Sequence, residues 1–251
     1  MNLRIILESL KFYKMKSERT IQGWFIVLYC LNLLIYLLPF VDTDFSGYFA
    51  YLESMLSGHM PPDSFFSLLT TGNWFFLGLS FLLKLIGAFF FIMYATLFVG
   101  QNSGMKPRDS FKKCISAVPR FLLLLVLLLL LSVVSACVAF LPLLALIVVL
   151  YFLPLNMTLE NRPLRIALEK SFRDSRQVRF FIFLKVILLA LLLSLPRGLV
   201  LSFVPDLVLP YVMVATFFTV LQLFAQARLM GMLYLLLVKK EPGVLPSKPE
   251  K

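Results

Sequence analysis

The chain has 251 residues, of which 60% are hydrophobic and 15% charged. An ordinary soluble domain is roughly 25% charged, and a globule of this size has no interior that could hide so much apolar surface. A net charge of +11, from 24 Lys and Arg against 13 Asp and Glu, would suit a nucleic-acid binder. The basic residues, however, gather in segments between apolar blocks, without a helix-turn-helix or RNP-like pattern, so nucleic acid is not the expected partner. Three scattered cysteines (Cys30, Cys114, Cys137) and the single His59 exclude a disulfide frame and most metal sites, and no cofactor is implied.

A helix needs about 20 apolar residues to cross about 30 Å of hydrocarbon. The first such block, 21–38, comes after a charged N-terminal segment, has no cleavage pattern behind it and stops at Pro39. The next loop holds Asp42, Asp44, Glu53 and Asp63 and no basic residue; within it, 45–56 reads as an amphipathic helix on the outer surface, and Pro61-Pro62 interrupts the chain beyond that helix. The second span, 73–99, is interrupted only by Lys84. No charge occurs from 121 to 159, which is too long for one span and right for two. These are expected at 120–139 and 142–157, joined by a tight hairpin at Pro142. A fifth span runs from about 179 to 195, stopped by Pro196. The sixth, about 207 to 238, contains Thr219, Gln222, Gln226 and Arg228.

Orientation is read from Lys and Arg near the span ends. The N-terminal segment, the segment 106–120, the segment 162–179 and the tail are basic, whereas the segments between them carry at most Arg197. Strict alternation requires six spans with both ends cytoplasmic, and Trp24 and Trp74 fall at span starts, where indole rings favour the interface. The expected fold is therefore an all-α, polytopic integral membrane helical bundle: six transmembrane helices with cytoplasmic amphipathic interfacial helices, N-in and C-in. A single transmembrane domain would cover 1–240, with a polar tail at 241–251.

Each cytoplasmic segment reads as a short basic helix leading a pair of spans, dividing the chain into units of about 1–103, 104–158 and 159–240. In 107–118, Phe111, Cys114, Ile115 and Val118 share a face opposite Lys112 and Lys113. In 163–178, Leu164, Ala167, Leu168, Ser171, Phe172 and Ser175 share a face opposite Arg165, Arg173 and Arg176, with Glu169 and Arg173 paired at i, i+4. The N-terminal segment is similar, with Leu3, Ile6, Leu7, Leu10 and Tyr13 on one side. Such helices anchor a fold at the headgroup layer, and Lys112, Lys113, Arg165, Arg173 and Arg176 are candidate contacts for anionic phospholipid headgroups.

The segment FLPLNMTLENRPLRIALEKSFRDSRQ (152–177), with Ala167, Leu168 and Ser171 as an ALxxS-like element leading into a span, resembles a bacterial family. It is similar to the membrane domain fused to some bacterial glycerophosphoryl diester phosphodiesterases and to stand-alone six-span bacterial membrane proteins. The resemblance covers about half the chain and implies a fold and a bacterial inner membrane. The family's phosphodiesterase activity belongs to a separate soluble domain, for which these residues leave no room.

Ionisable groups at bilayer depth are the functional candidates. Lys84 lies mid-span with Ser80 and Gly87 on its face, while Lys185 is close enough to the cytoplasmic end to snorkel. Arg228 lies deeper, in a helix where Thr219, Gln222 and Gln226 form a stripe at i, i+3, i+7. Interhelical hydrogen bonding is the plainer explanation of that stripe. Uncompensated internal cations favour an anionic guest such as a lipid phosphate, and the absence of span-core acids speaks against an ion-coupled carrier. The sequon Asn156-Met157-Thr158 falls at a cytoplasmic span end and should be silent. The function expected is non-enzymatic: a scaffold or accessory subunit of a bacterial envelope process that binds anionic lipid, working with a membrane-protein partner. The alternative is a transporter or permease component for an anionic or lipid-like substrate.

Overall fold

The computed structural model describes residues 3–15, 17–57, 68–136, 146–204 and 208–241, and every regular element among them is a helix. In chain order these are α1 (Leu3–Leu10), α2 (Glu18–Leu37), α3 (Ser46–Leu56), α4 (Thr71–Asn102) and α5 (Pro107–Ala136). Next come α6 (Leu153–Leu159), α7 (Leu164–Ser175), α8 (Arg179–Ser202) and α9 (Val208–Leu233), which continues through a π-helical turn, Tyr234–Val238. The expected hairpin at Pro142 lies outside the described residues, as do His59, Asp63, Cys137, Asp206 and the tail beyond residue 241. Among the described residues, four helices are long and apolar enough to cross a membrane: α2, α4, α8 and Leu209–Val238 of α9 and its π turn.

The bundle is organised on α9. Apolar residues run all the way round it, as on a helix buried on every side. In its most apolar window 67% of residues are buried, against 17%, 6% and 22% for α2, α4 and α8, whose outer faces are exposed and apolar. Helices α1, α2, α4 and α8 pack directly on α9, and Ile6, Leu28, Phe98 and Leu189 join Phe224 and Leu229 in one buried apolar cluster. A smaller cluster ties α4, α5, α6 and α7 together through Ile92, Cys114, Met157 and Ala167.

Local signals explain where helices start and stop. Leu38, next to Pro39, is extended (φ −76°, ψ 125°), as a residue before proline must be, and α2 ends there. Helix α4 begins with a capping box: Asn73 N–H donates to Thr70 Oγ1 (3.1 Å), and Thr70 N–H donates to Asn73 Oδ1 (2.9 Å). The Asn73 amide also donates to the carbonyls of Asp42 and Asp44, both at 2.9 Å, which fastens the outer loop to the head of α4. Gly72 permits that approach, because a Cβ there would stand 2.7 Å from Asp42 Cβ.

Two expected breaks are absent. Pro119 lies inside α5, so the basic segment 107–118 is the first part of one 30-residue helix and not a separate in-plane helix. Likewise Pro196 does not end α8, which continues to Ser202 and takes Arg197 into the helix. Each proline removes one backbone donor, but apolar surroundings penalise any non-helical backbone more heavily, so the helix continues.

The three basic helices stand where the periodicity places them; α7 packs its expected face inward apart from Phe172, whereas α1 and α5 are turned to a different side. In α1, Ile5, Ile6 and Ser9 are buried and Leu3 and Leu7 exposed; in α5, Ser110, Cys114 and Ala117 are buried and Phe111 and Ile115 exposed. In α7, Ala167, Ser171 and Ser175 are buried and Ile166 and Phe172 exposed. Small side chains let helices approach closely: a Cβ on Gly100 of α4 would stand 2.5 Å from Ser110 Oγ.

The serines of α7 also repair a broken helix. Pro154 has no N–H for the carbonyl of Leu150, and Leu153 N–H turns back to that carbonyl (2.9 Å), leaving the carbonyl of Val149 without the usual i+4 partner. Ser171 Oγ and Ser175 Oγ both donate to Val149 O, each at 3.1 Å. Side-chain hydroxyls are a standard substitute for lost backbone bonds in apolar surroundings. Either serine alone suffices, so Ser171→Ala and Ser175→Ala should each lose well under 1 kcal/mol, whereas the double variant should lose about 1–3 kcal/mol for an unsatisfied buried carbonyl. Thermal unfolding of the purified protein in detergent tests this, and strictly additive losses would refute it.

Candidate functional site

Arg228 of α9 is only 8% exposed and faces the N-terminal segment rather than a cavity. Its Nη1 donates to Lys14 O at 3.0 Å, and its guanidinium stands 5.1 Å from the centre of the Phe98 ring, a cation–π contact. Tyr94 Oη donates to Phe12 O at 2.6 Å, and the Phe12 ring stacks between Phe25 and Phe224 at 5.7 Å from each. Gln101 Nε2 donates to Ser17 Oγ (2.8 Å) a few residues further along. The N-terminal segment is thus threaded into the end of the bundle, and Arg228 is one of its fastenings.

Lys84 lies elsewhere. It lines a polar pocket of about 170 Å³ bounded by α2, α4, α8 and α9, together with Asn32, Ser80, Arg197, Thr216 and Thr219. Lys84 and Arg228, paired by the sequence as uncompensated internal cations, do not share a site. The second cation beside Lys84 is Arg197, which sequence reading assigns to a short outer loop and which α8 carries into the bundle.

The stripe on α9 divides between environments. Thr219 donates to its own helix, at Ala215 O (2.8 Å), and borders the Lys84 pocket. Gln226 borders a separate, mainly apolar cavity of about 270 Å³ lined by Phe91, Leu150, Tyr151 and Met230. Gln222 is half-buried and lines neither. Lys185 does not snorkel: it is fully buried, with its ammonium 5.2 Å from the centre of the Phe181 ring.

The basic side chains expected to meet lipid also separate. Lys113 Nζ donates to Leu159 O (3.0 Å) and Arg120 to Arg162 O (2.9 Å) and Asn161 Oδ1 (2.7 Å), so these two fasten α5 to the end of α6. A cation at the carboxyl end of a helix also meets the favourable end of its dipole. Lys112, Arg173 and Arg176 are exposed, and so is Arg165, whose Nε lies 3.4 Å from Glu169 in an open i, i+4 pair.

One polar cluster escaped sequence reading. Glu160, just after α6, pairs with Lys170 and with Arg162 Nε (2.6 Å), and Tyr234 Oη lies 3.4 Å from its Oε1. Tyr234 also reaches Asn156 Oδ1 (3.2 Å), and Thr158 shares a hydrogen bond with Thr96 (2.9 Å). The two polar residues of the sequon are therefore fully buried and serve packing between α4, α6 and α9. A polar run inside an apolar block was the available signal, and the sequon pattern drew attention away from it.

Among the described residues, no three His, Cys, Asp or Glu side chains gather as metal ligands would. No protein-family model matches the chain, and neither the curated proteins nor the solved structures yield a match.

Two measurements check these placements. Arg228→Gln should release the N-terminal segment, raising the rate of tryptic cleavage at Lys11 and Lys14 about tenfold or more, as loss of a charge-assisted bond implies; an unchanged rate would contradict the fastening. Burial opposes ionisation of Glu160, but Lys170 and Arg162 outweigh it and hold the carboxyl below its ordinary value of 4.5. Stability from this group is therefore present above that value and lost as pH falls through the lowered one. Glu160→Gln should lower the melting temperature at pH 7 and converge on the wild type in acid, and a gap that persists in acid would count against the pairing.

Proposed function

We propose that the chain is a six-span protein of the bacterial inner membrane, with both ends cytoplasmic, that works without catalysis. In this reading it is a scaffold or accessory subunit of an envelope process, seated on anionic lipid at its cytoplasmic face and serving a membrane-protein partner. The observation that carries the reading is the outward side of α5 and α7. Phe111 and Ile115 are exposed near Lys112, and Ile166 and Phe172 near Arg165, Arg173 and Arg176. Apolar side chains beside cations, on helices whose inner sides are already packed, suit the boundary between acyl chains and acidic headgroups.

The four membrane-length helices support a multi-pass arrangement, and the unbroken 30-residue α5 supplies length for a further crossing. The resemblance to membrane domains of bacterial phosphodiesterases supports the bacterial setting. A permease component for an anionic substrate is the second reading, favoured by the polar pocket beside Lys84. Against it, the four membrane-length helices carry no Asp or Glu beyond Glu18 among the described residues.

Replacing Lys112, Arg165, Arg173 and Arg176 by Gln should weaken retention of anionic lipid about fivefold per charge, from about 1 kcal/mol per cation. Native mass spectrometry after titration with phosphatidylglycerol reads this, and retention equal to wild type would sink the lipid-seat reading. Cysteines placed at Ser46 and at Lys106, in a background without native cysteines, should be labelled by an impermeant maleimide from opposite sides of the membrane. Labelling from one side would overturn the topology.

A further inference from the structure

We infer that the pocket between α2, α4, α8 and α9 is a binding site for a tetrahedral oxyanion of the phosphate class, with Lys84 and Arg197 supplying the charge. The site is distinct from the cytoplasmic lipid seat. It lies towards the opposite ends of the same helices: Arg197 is five residues from the end of α8 and Asn32 five from the end of α2. Lys84 is ten residues beyond Trp74, or about 15 Å at 1.5 Å per residue, which is half of a hydrocarbon core about 30 Å thick.

A cation at that depth costs about 2.5–3.5 kcal/mol near a bilayer centre unless something compensates it, and Arg197 brings a second positive charge to the same pocket. Among the described residues no acid lines the pocket and neither Lys84 nor Arg197 takes part in an ion pair. The rest of the lining is suited to oxygen atoms. Asn32 donates one N–H to Leu28 O (2.7 Å) and keeps the other, while Ser80 and Thr216 add hydroxyls with no other bond among the described residues. Thr219 has given its proton to Ala215 O, so it can only accept, and a proton remaining on a monoester would be its partner. A guanidinium fork with an ammonium and hydroxyl donors is the arrangement that holds phosphate.

Size narrows the occupant. About 170 Å³ is below the roughly 300–1,000 Å³ of pockets that enclose whole drug-sized molecules, so what enters is an anionic head and not a complete organic ligand. Lys84 is exposed at the border of the pocket, on a helix whose outer face is left for lipid, so the head of a lipid could enter with its chains remaining in the bilayer. Free phosphate and a lipid phosphate share this chemistry.

The experiment uses the full-length protein in detergent, stripped of lipid and titrated in separate arms with inorganic phosphate and with phosphatidic acid, with melting temperature and native mass spectrometry as readouts. Stabilisation by phosphate alone assigns a solute, and adducts of phosphatidic acid but not of neutral lipid assign a lipid head. Lys84→Gln and Arg197→Gln should each weaken the effective arm about tenfold, and Lys84→Arg should largely restore it. Should the Gln variants fail to fold, the wild type alone decides: no shift and no adduct in either arm overturns the site. Binding that persists undiminished in both Gln variants overturns it as well. Because the cytoplasmic cations are untouched in the Gln variants, phosphatidic acid binding that persists in them overturns this site and leaves the lipid seat standing, whereas binding lost only in the variants of Lys112, Arg165, Arg173 and Arg176 leaves this site standing.

Discussion

A polar group sealed inside an apolar bundle has no water to turn to, and this chain meets that constraint by pairing such groups with distant parts of itself. The carbonyl freed near Pro154 is taken up by two serines from α7. The carbonyls of Phe12 and Lys14, in a segment with little regular structure, are taken up by Tyr94 and Arg228. The cost of leaving any one unmet, about 1–3 kcal/mol, is a substantial fraction of the stability of a folded domain. Helix positions in this bundle are therefore fixed as much by a few polar bonds as by apolar packing, which on its own discriminates weakly between faces of similar composition.

That weakness explains which features were legible in the sequence. The apolar blocks located α2, α4, α9 and the start of α8 to within a few residues, because length and lack of charge are enough to specify a long apolar helix. The inward face of α7 was legible through Ala167, Ser171 and Ser175, but those of α1 and α5 were not. With lipid outside, Phe111 gains as much facing out as in, and the inner side goes to Ser110, Cys114 and Ala117, which let α4 come close. Pro196 misled for a related reason: the helix-breaking effect of proline is calibrated on backbone that water can solvate.

The candidate site was legible by half. Lys84 stands out in any reading because nothing else charged interrupts its block. Arg197 was hidden by the expectation that Pro196 ends the helix, so its charge was assigned to a loop. Arg228 attracted attention for its depth, yet its bond to a main-chain oxygen more than two hundred residues away leaves no trace in sequence spacing. Charge at depth identified residues worth asking about, and only the arrangement of helices separates a fastening from a lining.

The bond between Arg228 and Lys14 joins a segment made early to a helix made more than two hundred residues later. Synthesis is vectorial, so the docking groove for Phe12 and Ile6 is incomplete until Phe224 and Arg228 have left the ribosome and entered the membrane. Until then the amino-terminal segment has nowhere to settle. Closure of the bundle is accordingly a late event: a nascent protein cut short before α9 would keep α1 and the segment after it undocked and open to proteases.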